Sequence, residues 1–234
     1  MMNRQPQRIL LKLSWEACKG NRPSGFDVQV MHTIAKHIIT LKKRGFTIAI
    51  VVWGWNFFRG KTWEELGMQR AAADYIGMLA TVMNSLALEQ SLAYAWEEAV
   101  VMSAIDMPKI AQTWQLDSAL KVLEEGKILI CAAWLGAPYI SSDLGAVTRA
   151  LELSCDVLVK ATKVDWVYDR DPVLDPTAKK YDILKLKDAL ARWLDIMDHA
   201  AIALAMDHQL PLYVCHIDHI ESLGTQDMDG TWVE

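Results

Sequence analysis

Glycine is scarce in this 234-residue chain, with 12 residues, about 5% against a usual share of about 7%. Tryptophan, normally rare, occurs 10 times. Excess basic charge is also missing. The net charge of −5 and pI of about 5.7 argue against a nucleic-acid groove, which is typically basic. No cysteine pair has CxxC spacing, so Cys18, Cys131, Cys155 and Cys215 read as free, mostly buried thiols of a reducing compartment. His216-x-x-His219 follows a strand-like run without a third ligand in sight, a poor metal signal. The start, MMNRQPQR, is polar and lacks the apolar stretch of roughly 7–15 residues of a secretory signal. The weakly polar run 128–140 is interrupted by Gly136 and Pro138 and is shorter than the roughly 18 residues of a spanning helix. These absences predict a cytoplasmic protein with no membrane partner. There is no GxxxxGK[ST] motif, which excludes a P-loop.

What is present is a 52% hydrophobic chain of a length that suits one α/β domain over residues 1–234. Strand-like and helix-like segments alternate, as in a parallel sheet with crossover helices. RILLKLS (8–14), TIAIVVW (47–53), 99–102, ILICA (128–132), 157–160 and 212–215 read as strands, most of them apolar throughout, as for strands buried on both faces. Helices are expected from the Asp27 cap to about Arg44, where Gly45 stops the run, and over about 68–94, 115–125, 143–153, 186–193 and 195–208. Residues 161–181 read as irregular. The expected fold is a three-layer α/β/α sandwich with a mainly parallel central sheet.

Ligands of such sheets sit beyond the carboxyl ends of the strands. Four segments fall there: KLSWE (12–16), WGWNFFRG (53–60), WLGAPYISSD (134–143) and KATKVDWVYDRDP (160–172). They bring cations (Lys12, Arg59, Lys163) and hydroxyls (Ser14, Ser141, Ser142, Thr162) to one end of the sheet. With Asp74 and Asp198 from elsewhere, Asp143 and Asp171 supply carboxylates. Phosphoryl transfer calls for this set, because fixed charges and donors stabilise the charge spread over the moving phosphoryl oxygens.

These segments resemble the UMP kinases of the amino-acid-kinase superfamily, whose pattern reads KLSGE, GGGNxFRG, GTGNPxFTTD and KATKVDGVYxxDP. The similarity runs on through GMLATVMNSLA (77–87) and the pair Met197-Asp198, and covers nearly the whole chain. It implies phosphorylation of UMP by ATP with Mg²⁺, by direct transfer. Lys12, Arg59, Lys163 and Asp198 would be catalytic, with Asp198 orienting Lys12. Lys12, Leu13, Ser14, Trp15, Trp55, Arg59, Thr162, Tyr168 and Asp171 would hold ATP. Gly54, Asp74, Leu135, Gly136, Ala137, Pro138, Tyr139, Ile140, Ser141 and Ser142 would hold UMP. The loop Gly20, Asn21, Arg22, Pro23, Ser24, Gly25 matches the region where bacterial members bind GTP as an allosteric activator. UTP as an inhibitor and a homohexamer are also implied. The alternative is an inactive relative that binds nucleotide or stores an oxyanion.

One departure is systematic. Trp15, Trp53, Trp55, Trp134 and Trp166 stand where the pattern has glycine, and Trp96 and Trp193 stand where relatives commonly do. Either the protein contains these indoles and is a dead or altered relative, or a UGA codon that its source reads as glycine was translated as tryptophan. The second account explains why only glycine sites are hit. It would raise glycine from 12 to 19 and leave 3 of the 10 tryptophans: Trp63, Trp114 and Trp232. Leu135 and Ala137 also depart from the Thr and Asn of the pattern, which removes two polar groups from the uracil loop.

Overall fold

The computed structural model describes residues 7–14, 25, 27–54, 67–170, 175, 177–194, 196–226 and 228–234. Its frame is a nine-stranded sheet in the order β4-β3-β5-β2-β1-β6-β10-β11-β9. The strands are β1 (Arg8–Leu13), β2 (Thr47–Val52), β3 (Ala99–Ser103), β4 (Gln112–Thr113), β5 (Ile128–Ala132), β6 (Val157–Thr162), β9 (Ile183–Leu184), β10 (Leu212–His216) and β11 (Gly230–Val233). Neighbours are parallel except for the antiparallel pair β10–β11. A separate antiparallel pair joins β7 (Val167–Tyr168) to β8 (Lys180–Tyr181), inside the stretch expected to be irregular.

Among the described residues the helices are α1 (Val28–Lys43), α2 (Arg70–Tyr94), α3 (Leu116–Glu124), α4 (Ser142–Glu152), α5 (Leu186–Ala191) and α6 (His199–Asp207), followed by a 3₁₀ turn at Ile217–Ser222. Alternation along β1 and β2 sends Ile9, Leu11, Leu13, Ile48, Ile50 and Val52 to one face, against α1 and α2. Leu10, Ala49 and Val51 go to the other, against α3, α4, α5 and α6. The result is the expected three layers with two cores. Among the described residues, α2 alone is long and apolar enough to cross a membrane, but half of its most apolar window is buried inside the fold.

Helix termini follow side-chain chemistry at one end and backbone geometry at the other. Asp27, Ser141 and Asp198 cap α1, α4 and α6 by accepting from the N–H groups of Gln29, Leu144 and Ala201, satisfying donors the helix cannot. All six C-termini close in one way: the residue after the cap takes positive φ, and two N–H groups turn back to the last helical carbonyls. The pairs are Gly45→Lys42 and Phe46→Leu41, Trp96→Ala93 and Glu97→Leu92, Gly126→Leu123 and Lys127→Val122, Ser154→Leu151 and Cys155→Ala150, Trp193→Leu190 and Leu194→Ala189, and Gln209→Met206 and Leu210→Ala205. The six positive-φ residues are Gly45 (92°), Trp96 (61°), Gly126 (72°), Ser154 (51°), Trp193 (55°) and Gln209 (53°).

Candidate active site

Lys12 and Lys160 face each other across the β1–β6 ladder, on the side covered by α4. Two ammonium groups on adjacent buried strands need a counter-charge, and Asp143 in the first turn of α4 supplies it. Its carboxylate lies 2.6 Å from Lys12 Nζ and 3.8 Å from Lys160 Nζ. Lys12 is only 3% exposed. Burial pushes the Asp143 carboxyl up. The charges of Lys12 and Lys160, a hydrogen bond from Lys12 and one from the Asp198 backbone outweigh that push and hold it below the ordinary carboxylate range. Lys160 also donates to the Ile196 carbonyl.

The N-termini of α4 and α6 converge beside this triad. Ser141 Oγ accepts from Leu144 N and donates to the Asp198 carboxylate, which in turn caps α6 through Ala201 N. Two positive helix ends thus point at one region, an arrangement suited to anionic oxygens. The expectation that Asp198 orients Lys12 takes a different form here. Lys12 is paired with Asp143, and Asp198 reaches the pair only by donating its N–H to that carboxylate. The reason is geometric: the α6 cap and Ser141 already occupy the Asp198 oxygens.

A second group of expected residues gathers between α2 and the segment joining β5 to α4. Asp74, buried near the start of α2, accepts from Arg70 Nε and from the backbone N–H of Tyr139 at 2.8 Å, so it anchors the 135–142 loop. Thr81 Oγ1 accepts from Ala133 N, and Asn84 Nδ2 donates to the Trp53 carbonyl. Gly54 lies so close to α2 that a Cβ there would sit 2.4 Å from the Gly77 carbonyl oxygen. Ala133, Trp134, Gly136 and Tyr139 all have positive φ. The Trp134 side chain is buried among these parts, with its Nε1 lacking a hydrogen-bond partner.

A third group lines an open cleft of about 520 Å³ beyond the ends of β6 and β10. Thr162 and Tyr168, two of the residues expected to hold ATP, line it together with Trp166, Arg170, Arg192 and Trp193. Thr162 Oγ1 donates to Val164 O and accepts from Val164 N, closing the turn that begins the wall. Trp166 donates Nε1 to Asp229, with Lys180 Nζ 3.7 Å above its ring. Ser14 N bonds to Ala161 O, holding the end of β1 against β6. Lys163 is exposed. Trp15, Trp55, Arg59, Asp171 and the loop 20–24 lie outside the described residues; Gly25 lies within them, at a φ of 81°.

Sequence reasoning missed Lys160 altogether as a site residue and gave Asp143 no specific role. Position after a strand marks candidates, but the Lys12–Lys160 pairing depends on cross-strand register, which no single segment carries. Cys131, Cys155 and Cys215 are buried free thiols pushed up to about 12 by burial. They are inert rather than nucleophilic. His219 pairs with Asp229 and His216 with Asp218, and among the described residues no three metal-ligating side chains converge.

The amino acid kinase family profile matches residues 8–216. The uridylate kinase of Protochlamydia amoebophila (strain UWE25) is 42% identical, aligned over all of this chain and 95% of its own length. The crystal structure of UMP kinase from Bacillus anthracis superposes with a TM-score of 0.95 at 32% identity, covering 99% of this chain and 97% of that one. The corresponding values for UMP kinase from Ureaplasma parvum are 0.92, 33%, 99% and 99%. With its strand-end cations, its converging helix N-termini and these likenesses over its full length, the chain belongs to the amino acid kinase family, among the bacterial-type UMP kinases.

Proposed function

We propose that this protein transfers the γ-phosphoryl group of ATP directly to the phosphate of UMP, giving UDP. The observation that carries the reading is the Lys12–Asp143–Lys160 triad at the carboxyl ends of adjacent parallel strands, beside the N-termini of α4 and α6. Fixed positive charge of this kind favours the transition state, where negative charge spreads over the transferring group. The acceptor lies between α2 and the 135–142 loop, and the ATP nucleoside in the cleft walled by Thr162 and Tyr168. Mg²⁺ would accompany ATP and would neutralise charge on its phosphates, beside the Lys12–Asp143–Lys160 triad. GTP activation through the 20–25 loop, UTP inhibition, a homohexamer and a cytoplasmic location accompany this reading. Leu135 and Ala137 leave the base held by fewer polar contacts than the family pattern provides.

The test is a coupled ADP-release assay on the chain with glycine at positions 15, 53, 55, 96, 134, 166 and 193, with UMP, CMP or no acceptor. Turnover with UMP well above both controls is expected. No UMP-dependent ADP release from folded protein would reject the reading.

A further inference from the structure

Left-handed backbone is rare for residues with a side chain, and bulky side chains are least suited to it. Yet Trp96, Trp134 and Trp193 adopt φ of 61°, 49° and 55°. Trp114 and Trp232 do not. They pack as tryptophans do, Trp114 with the Arg149 guanidinium 3.6 Å above its ring and Trp232 with the Tyr213 ring at 5.0 Å. Trp96 and Trp193 occupy the position after the cap of α2 and α5, where glycine is the preferred residue, and where Gly45 and Gly126 stand on α1 and α3. Packing accounts for little of either indole: Trp96 is 96% exposed, and Trp193, 75% exposed, has one edge contact, to the His199 ring at 4.0 Å. Trp134 has the opposite fault. It is buried with an unpartnered Nε1, and its ring is wedged so that a Cβ at Gly77 would lie 3.2 Å from Cη2. A Cβ at Gly145 would meet Trp134 Cβ at 3.3 Å. Gly77 in turn abuts Gly54. The indole therefore fills the space between α2 and the start of α4, beside the loop tied to Asp74.

We propose that the working form of this chain carries glycine at positions 96, 134 and 193, and that glycine at 134 opens the acceptor-nucleotide site between α2 and the 135–142 loop. The first part rests on the left-handed backbone taken together with the misfit of each indole, exposed at 96 and 193 and unpartnered at 134. The second rests on the UMP kinase reading. Without a side chain at 134, one of the two left-handed residues that end β5, Ala133 and Trp134, loses its strain, and the volume now held by the indole becomes room for a nucleotide. Gly77 and Gly145 then line that room without side chains of their own.

The two parts are tested separately. In a chain with glycine at 15, 53, 55, 134 and 166, W96G and W193G each raise the urea unfolding midpoint, whereas W114G lowers it. W96A gains less than W96G, since alanine keeps the strained φ. A W96G midpoint at or below that of the Trp96 chain, or a W96A midpoint equal to it, overturns the backbone argument. Peptide masses of the protein from its source cells read residues 96, 134 and 193 directly, and tryptophan there overturns it too. For the site, calorimetry compares W134G with its parent in a chain already carrying glycine at the other six positions. UMP binding at least tenfold tighter for W134G is expected, and equal affinity overturns the opening. If CMP or AMP, but not UMP, binds W134G alone, the opening stands and UMP as acceptor falls. If no monophosphate binds W134G, the opening falls.

Discussion

At Asp143 one carboxylate answers two lysines, and the balance of its environment sets what substitution does. Lys12 and Lys160 lie too close, in too dry a place, to be left without it. Removing one partner of a buried ion pair typically costs about 3–5 kcal/mol, and Asp143→Asn is expected to lose stability of that order at pH 7. The sign with pH follows from the lowered carboxyl. Its contribution is fully present above the unfolded value of about 3.9 and disappears as pH falls through the lower folded value. Urea unfolding of parent and Asp143→Asn should therefore differ most near neutrality and converge in acid; a gap that widens in acid would contradict the assignment. Lys12 is a separate case, because its charge is aimed at the moving phosphoryl group. In the glycine-restored chain, Lys12→Ala should lower kcat by an amount worth about 2.7–4 kcal/mol of barrier, with a much smaller effect on the KM for UMP. An unchanged kcat would remove Lys12 from the machinery.

Elements were legible in the sequence where a long stretch obeys one rule. β1, β2 and β5 are apolar throughout because both faces are buried, and their observed bounds lie within a residue of those expected. α1 was readable from its Asp27 cap, its periodic face and Gly45. β4, β7, β8 and β9 span two residues each, and β11 is GTWV. Such pieces have too few positions to show a period and form only because a neighbour offers an edge. The helix expected from about 195 begins at His199, capped by the Asp198 carboxylate. The site was legible as a set of strand ends, and its pairings were not, because register and the reach of α4 are tertiary facts. The shared form of the six helix ends leads to a prediction with no packing term. Nothing lies within 4 Å of a Cβ built on Gly45 or Gly126, so Gly45→Ala and Gly126→Ala report the left-handed penalty alone, about 1–2 kcal/mol each. Gln209→Gly should move stability the other way, by about 0.5–1 kcal/mol. Chemical denaturation of the three variants checks both signs, and a stabilising alanine at either glycine would refute the common-terminus reading.

At the scale of the whole molecule, the parallel sheet gathers its chemistry at the carboxyl ends of its central strands and leaves one long helix partly uncovered. α2 buries Met78, Val82, Leu88 and Leu92 against the sheet and α1. On its other side Tyr75, Leu79 and Met83 recur every four residues, at 45%, 47% and 47% exposure. Single exposed apolar residues are ordinary, but a stripe of large ones along a helix marks a contact surface. A stripe on a straight helix can meet a copy of itself across a two-fold axis, the commonest symmetry of homo-oligomers. The same helix holds Asp74 and the Thr81 and Asn84 anchors of the site, so assembly through this face would also steady the acceptor loop from behind. Leu79→Glu combined with Met83→Glu places charge in the middle of the stripe without touching those anchors. For the homohexamer proposed above, loss of an isologous contact through this face should leave the double variant sedimenting at about half the parent's mass or less. Its circular dichroism should stay that of the parent, and its UMP turnover should fall with the mass. A double variant that sediments with the parent would take this face out of the assembly.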